Sequence, residues 1–128
     1  MENVLYAGPV YWVYDHEIAS MCFAERYLIR HLSFSPPLSR HKGNIQVTAH
    51  SISMQEYDNE FNIELSDITQ LYLGFDDSYS RASAKNFGVF WRPLRIELEN
   101  ETLVYLIVDY KNGFSKNGII FELLKKWC

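Results

Sequence analysis

The sequence predicts a mainly β, antiparallel α+β domain closed by a C-terminal helix. Three observations carry that expectation. Aromatic residues make up 16% of the chain, with nine Tyr and eight Phe, and aromatic and β-branched side chains suit a pleated, half-buried surface. Polar and apolar positions alternate in several short runs between Asn44 and Leu98, the period of strands that bury one face. The period then changes. In Asn117 to Cys128 the apolar residues Ile119, Ile120, Leu123, Leu124 and Trp127 recur at helical spacing, while Glu122, Lys125 and Lys126 fall outside the stripe.

Taken in order, Leu5-Tyr6 is followed by Gly8-Pro9, which is expected to break the run before a strand at Val10 to Tyr14. Asp15 is placed to cap a further, N-terminal helix. Ile18, Met21, Cys22, Leu28, Ile29 and Leu32 fit its stripe, interrupted at Glu25. Tyr27-Leu28-Ile29 reads equally as strand. Ser35-Pro36-Pro37 ends the segment, and residues 35–43 read as a loop carrying Arg40, His41 and Lys42. From Gly43 the chain turns to β. Asn44 to Thr48 and Ser51 to Gln55 alternate with opposite parity, so a turn or bulge is expected near Ala49-His50. Tyr57 to Glu60 is turn chemistry, and Phe61, Ile63 and Leu65 share a strand face. Ser66-Asp67 forms a corner before a strand over Ile68 to Phe75.

Asp76 to Asn86 is polar and is expected to be a mobile loop. Phe87 to Trp91 is apolar and reads as a strand start, with Pro93 marking an edge or entry point. Leu94, Ile96 and Leu98 are expected to face inward, with Arg95, Glu97 and Glu99 outward. Asn100-Glu101 makes a hairpin turn. Leu103 to Val108 is apolar on both faces, which suits a strand covered on both sides. Lys111-Asn112-Gly113 leads to the final helix. The tally is about seven strands in a single domain spanning 1–128, with no repeats and no linker.

Composition bounds the function. A hydrophobic fraction of 48% in 128 residues supports one core without disulfides or metals, since a chain of this size buries about two-thirds of its unfolded surface. No apolar run approaches the roughly 20 residues of a bilayer span. The N-terminus lacks the pattern of a signal peptide. Cys22 and Cys128 are too few for a disulfide scaffold, so a cytoplasmic location is expected. Net charge is −4, arranged in blocks. Arg26, Arg30, Arg40 and Lys42 form a basic block. Glu56, Asp58, Glu60, Glu64, Asp67, Asp76 and Asp77 form an acidic one, and Arg81, Lys85, Arg92 and Arg95 a second basic one. The balance argues against nucleic acid as a partner but leaves room for a local anion site.

The stretch Gly43-Asn44-Ile45-Gln46-Val47-Thr48, then Ser51-Ile52-Ser53-Met54, then Phe61 to Ile68 into Leu71-Tyr72-Leu73-Gly74 resembles a bacterial pleckstrin-homology-like domain of the GRAM type. Pro93 to Ile96 and Leu103 to Leu106 resemble its last two strands, Asn117 to Trp127 its closing helix, and Glu2 to Pro9 its opening. The resemblance covers about two-thirds of the chain, and residues 15–42 stand outside it as an insertion. It implies a bent, partly open seven-stranded antiparallel barrel capped by the C-terminal helix, with Leu123, Leu124 and Trp127 in the capping role. It also implies a domain that binds phosphoinositides, peptides or proteins rather than catalysing a reaction.

Two residue groups are the candidates for function. Arg26, Arg30, Arg40, His41 and Lys42 can bind phosphate by charge-assisted hydrogen bonds, though the dense Lys/Arg strand motif of strong phosphoinositide binders is absent. Phe87, Phe90, Trp91 and Arg92 combine aromatics with an arginine, as protein-interface anchors do. The bland readings are a solvated loop for the first group and core for the second. No metal-ligand spacing, phosphate loop or hydrolase motif occurs, so neither a cofactor nor an enzyme is expected. The sequence therefore favours a non-catalytic module for a protein partner or for self-association. The alternatives are an anionic lipid held by 26–42, and a β-barrel carrier of a small apolar ligand.

Overall fold

The computed structural model describes residues 3–22, 37–80, 91–111 and 114–127. Seven strands form one antiparallel sheet: β1 (Tyr6–Tyr14), β2 (His41–Val47), β3 (Ser51–Glu56), β4 (Asn59–Glu64), β5 (Ile68–Leu73), β6 (Leu94–Leu98) and β7 (Leu103–Val108). A short helix α1 (Asp15–Ala19) follows β1, and α2 (Asn117–Trp127) follows β7. The strand order is β4-β3-β2-β1-β7-β6-β5. Two meanders are thus joined where β1 pairs with β7, from Val10 opposite Val108 to Tyr14 opposite Val104.

This order forces curvature. In a flat sheet the outer strands β4 and β5 would lie six spacings apart, roughly 29 Å. They are joined by a single 3-10 turn, Leu65–Asp67, whose three residues reach only about 10 Å. The sheet therefore curls into a partly open barrel, as the resemblance implied. Glu99 N–H donates to the Asp67 carbonyl at 3.0 Å, tying the turn to the end of β6.

β1 runs unbroken through Gly8-Pro9, contrary to expectation. The Pro9 carbonyl accepts the Asp109 N–H at 2.8 Å. A residue's N–H and C=O point to the same side of a strand, so the donor that proline lacks would face the end of β7, beyond the pairing that starts at Val10. Only the reciprocal of that end bond is missing, and the pairing of β1 with β2 runs on past Pro9. The parity change between β2 and β3 is absorbed in a tight turn, where Thr48 Oγ1 accepts the N–H groups of His50 and Ser51 at 3.2 and 3.1 Å. Gly43 is required: a Cβ there would sit 1.8 Å from the Gln55 carbonyl oxygen of β3.

β7 is buried on both faces, as its sequence predicted. Val104, Leu106 and Val108 join Val10, Trp12, Ile45, Val47, Ile52, Met54, Leu94 and Ile96 in the core inside the curl, which Ile120 and Leu124 of α2 close. Tyr105 and Ile107 face the other way. They pack with Val13, Ile18, Met21, Leu38, Tyr79 and Trp91 in a second core on the outer face.

Several expectations need correction. Ile119 is 62% exposed. Ile120 and Leu124 are buried and Leu123 is half-buried, as expected, but the stripe is completed by Asn117 and half-buried Phe121 rather than by Ile119, because Asn117 fixes the helix's rotation. Asn117 Oδ1 accepts Val108 N–H at 2.8 Å, and its Nδ2 donates to the carbonyls of Arg92 and Leu106 at 2.7 and 2.8 Å. The Trp127 side chain lies outside the described residues. β2 begins at His41, so His41 and Lys42 belong to a strand rather than to a loop. α1 is a single short helix with Tyr14, not Asp15, at its N-cap. The start of the polar stretch expected to be mobile is fixed, since Asp76 Oδ1 accepts the N–H groups of Ser78 and Tyr79 at 3.0 and 2.7 Å. Residues 23–36 and 81–90, with the rest of the expected helix and loop, lie outside the described residues. Among the described residues, no helix is long and apolar enough to cross a membrane.

Candidate functional site

Three element ends meet at one rim of the barrel. His41 opens β2 opposite Trp12 of β1, on the strand face shared with Ile45 and Val47. Glu56 ends β3 on the face of Ile52 and Met54. Glu17 is the third residue of α1, just past the end of β1. His41 Nε2 lies 2.8 Å from Glu17 Oε2 and Nδ1 lies 2.9 Å from Glu56 Oε1. The second oxygen of each carboxylate accepts a backbone N–H, Tyr14 to Glu17 Oε1 at 2.9 Å and Lys42 to Glu56 Oε2 at 3.1 Å. The imidazole stacks on Trp12 with centroids 5.2 Å apart, and Tyr14 and Phe61 flank it at 6.1 and 5.5 Å. Burial pushes the Glu56 carboxyl up, but the hydrogen bonds from His41 and the Lys42 amide outweigh it and hold the group below the usual carboxylate range. Burial raises the Tyr14 hydroxyl, and Glu17 adds to the shift.

The basic segment does not converge on one anion site among the described residues. His41 points to the inner rim between two carboxylates. Lys42, next in the strand, points to the opposite face, with its Nζ 5.8 Å from the Tyr11 ring centroid. Arg40 is exposed. Arg26 and Arg30 lie outside the described residues.

The expected aromatic interface also changes character. Trp91 is 4% exposed and meets Phe75, Tyr79 and Tyr110 edge-on at 5.8, 6.1 and 5.7 Å. It is core, because the outer face of β7 needs covering. Arg92 is exposed and borders a shallow cleft of about 120 Å³ beside Asn117 and Gly118. Phe87 and Phe90 lie outside the described residues.

Two features escaped the sequence reading. Arg95, which faces outward as expected, donates from Nη1 to Asp76 Oδ2 at 3.0 Å and from Nη2 to Gln70 at 2.7 Å. Tyr105 OH donates to the same Asp76 oxygen at 2.7 Å. Burial alone would raise Asp76, but the Tyr79 amide, the Tyr105 hydroxyl and Arg95 hold it below the carboxylate range. Burial and the Asp76 charge push the Tyr105 hydroxyl far up.

The second feature is the contrast between the two sheet edges. β4, Asn59 to Glu64, carries Glu60 and Glu64, charges of the kind that discourage further strand pairing. β5, Ile68-Thr69-Gln70-Leu71-Tyr72-Leu73, has no charge and no proline. Thr69, Gln70 and Tyr72 are exposed, and among the described residues β6 is the only strand paired with β5. Asp67 precedes this edge, and Asp76 and Asp77 follow it.

No protein-family model matches the chain, and no curated protein matches it. Among solved structures it is similar to the C-terminal domain of an unknown protein from Leishmania infantum, seen in a crystal structure. The two are 14% identical with a TM-score of 0.54, over 98% of this chain and 84% of the other. That likeness extends to the fold alone.

Proposed function

We propose that this chain is a non-catalytic, pleckstrin-homology-like binding module that takes up an extended segment of a protein partner along β5. The carrying observation is the uncharged edge of Ile68–Leu73 beside a charge-guarded β4. An edge strand presents a row of unpaired backbone donors and acceptors, and proteins normally blunt such edges. Leaving one open suits strand addition, in which backbone bonds supply affinity and alternate side chains supply selectivity. Asp67 and Asp77 are both exposed and flank the edge. Two copies paired antiparallel along β5 would bring these acidic ends together, so charge complementarity favours a partner segment with basic flanks. A cytoplasmic setting accords with this reading.

The rival readings draw less support. Among the described residues, an anionic head group would have only Arg40 and Lys42 of the basic segment, since two carboxylates already engage His41. A small apolar ligand would need interior space, but Trp12, Ile45, Ile52, Met54, Ile96, Leu106, Ile120 and Leu124 are all 0% exposed.

Amide chemical shifts recorded during titration with extended, Lys/Arg-flanked peptides of alternating β-branched residues test the proposal. Strand addition moves and protects the amides of 68–73, and Thr69→Lys weakens that response. Shifts confined to residues 40–42 with anionic vesicles would replace the proposal with lipid binding. Concentration-dependent sedimentation without peptide would replace it with self-association.

A further inference from the structure

We infer that Glu17, His41 and Glu56 form a proton-held latch that fastens α1 to the β2–β3 hairpin and opens on alkalinisation. Ionised carboxylates only accept hydrogen bonds. Each ring nitrogen of His41 meets one, at 2.8 and 2.9 Å, and each carboxylate is steadied by a backbone N–H on its other oxygen. Neither carboxylate can turn away without losing that second bond. With both glutamates ionised, the bridge is complete only when both nitrogens carry protons. Removing one proton leaves a nitrogen lone pair against a carboxylate oxygen, and flipping the ring merely moves the conflict to the other side.

The surroundings suit a switch rather than a fixed ion pair. The side chains of Glu17, His41 and Glu56 are 20%, 18% and 19% exposed, enough for proton exchange with water. Trp12, Tyr14 and Phe61 cage the ring. Among the described residues, the other titratable groups nearby are Asp15 and His16 on α1, the Tyr14 hydroxyl on β1, Arg40 before β2 and Lys42 within it. β4 contributes only the Phe61 ring. Asp15 lies 3.9 Å from His16, and Lys42 faces the outer side. None of these replaces the proton at His41.

The weaker side of the bridge is α1. Glu56 belongs to a strand paired on both sides. α1 has five residues and is held by Ile18 in the outer core. Deprotonation therefore releases Glu17, and with it the cap that its other oxygen provides to Tyr14.

Hydrogen exchange of backbone amides from pH 6 to pH 9, corrected for the intrinsic base-catalysed rate, tests the latch. In the wild type, protection at Tyr14, Ser20 and Met21 should fall at least about tenfold as pH rises, equivalent to about 1.4 kcal/mol. Glu17→Gln reverses the expectation. Its amide oxygen still accepts Tyr14 N–H, while its NH2 donates to a neutral ring nitrogen, so protection is kept through pH 9. Glu56→Gln is the mirror variant and gives the same result if Glu17→Gln fails to fold. Wild-type protection that does not change with pH would overturn the latch, as would an equal loss in the wild type and a glutamine variant.

Discussion

Replacing Asn117 by alanine removes three hydrogen bonds from a site where the side chain is 1% exposed. Val108 N–H, Arg92 C=O and Leu106 C=O lose their partner. An unpaired buried polar group costs about 1–3 kcal/mol. Arg92 C=O lies beside the cleft of about 120 Å³ that Arg92 and Asn117 line, so water can replace its donor. Two groups then remain buried, and the expected loss is roughly 3 kcal/mol, a large share of a stability on the order of 5–15 kcal/mol. Asn117→Asp keeps the shape and the acceptor for Val108 but turns a second oxygen toward two carbonyls. It should cost at least as much at pH 7. Its pH dependence has a definite sign. A carboxyl placed there has its folded-state pKa raised, so the variant is nearest to wild type below the unfolded value of about 3.9 and loses ground as pH rises through the folded one. Urea unfolding followed by tryptophan fluorescence measures both. If the alanine variant lies within about 0.5 kcal/mol of wild type, the range of an uninvolved surface change, Asn117 is not the anchor of α2. If the aspartate variant tracks the alanine one at every pH, the assigned donor and acceptor roles are wrong.

The other expectations use the same measurement. Gly43→Ala should destabilise by about 1–3 kcal/mol, because the added Cβ meets backbone of β3 at 1.8 Å. Gly118→Ala meets nothing within 4 Å and should stabilise by about 0.4–1 kcal/mol; a Gly43→Ala variant as stable as the wild type would expose an error in the β2–β3 register. Tyr105→Phe deletes a hydrogen bond to an ionised, largely buried carboxylate and should cost about 1.5–3 kcal/mol near neutrality. The Asp76 carboxyl is depressed in the fold, so its contribution is present above about pH 3.9 and is lost on further acidification. The Tyr105 hydroxyl is raised, so its contribution is present below about pH 10 and is lost as alkalinity increases. The gap between wild type and variant should therefore be flat from pH 5 to 9 and narrow on both sides, and a gap that widens toward acid would contradict the Asp76 assignment.

The strands were legible because their chemistry is local. The alternation in Ser51 to Glu56 and the two-faced apolar run of Leu103 to Val108 each need only their own sequence to be read. The α2 stripe was read correctly at Ile120, Leu123 and Leu124 but one position too wide at Ile119, since Ile119 and Ile120 are equally apolar. What orients the helix is a polar residue, Asn117, bonded to β7 and to Arg92, which no hydrophobic period records. The rim cluster was invisible for a related reason. Glu17, His41 and Glu56 lie 24 and 15 residues apart, and only the pairing of β1, β2 and β3 brings them together. His41 was noticed for its basic neighbours, when its partners were acids. Arg95 was assigned outward by strand parity correctly, but parity does not say that a loop carrying Asp76 returns to cover it.

The outer core explains why the chain carries more than a curled sheet and a helix. Tyr105 and Ile107 on β7 and Val13 on β1 would form an apolar patch on the convex face if left bare. Ile18 and Met21 after β1, Leu38 before β2, and Tyr79 and Trp91 between β5 and β6 cover it. Tyr79 OH donates to the Leu38 carbonyl at 2.9 Å, so the two covering segments hold each other. Residues 15–22, 37–40 and 76–80, with Trp91, are therefore bound to the fold by the same surface, and neither Ile18 and Met21 nor Leu38 can be removed without exposing β7. That places structural duty on most of the conspicuous aromatic and charged residues: Trp12, Trp91, Tyr105, His41 and Arg95 all have partners inside the domain. The β5 edge differs in kind. Ile68, Leu71 and Leu73 of β5 pack on the inner core, and Gln70 and Tyr72 engage Arg95. Its free edge, uncharged and with an acidic residue at either end, lacks the charges that guard β4, and a partner is best sought there.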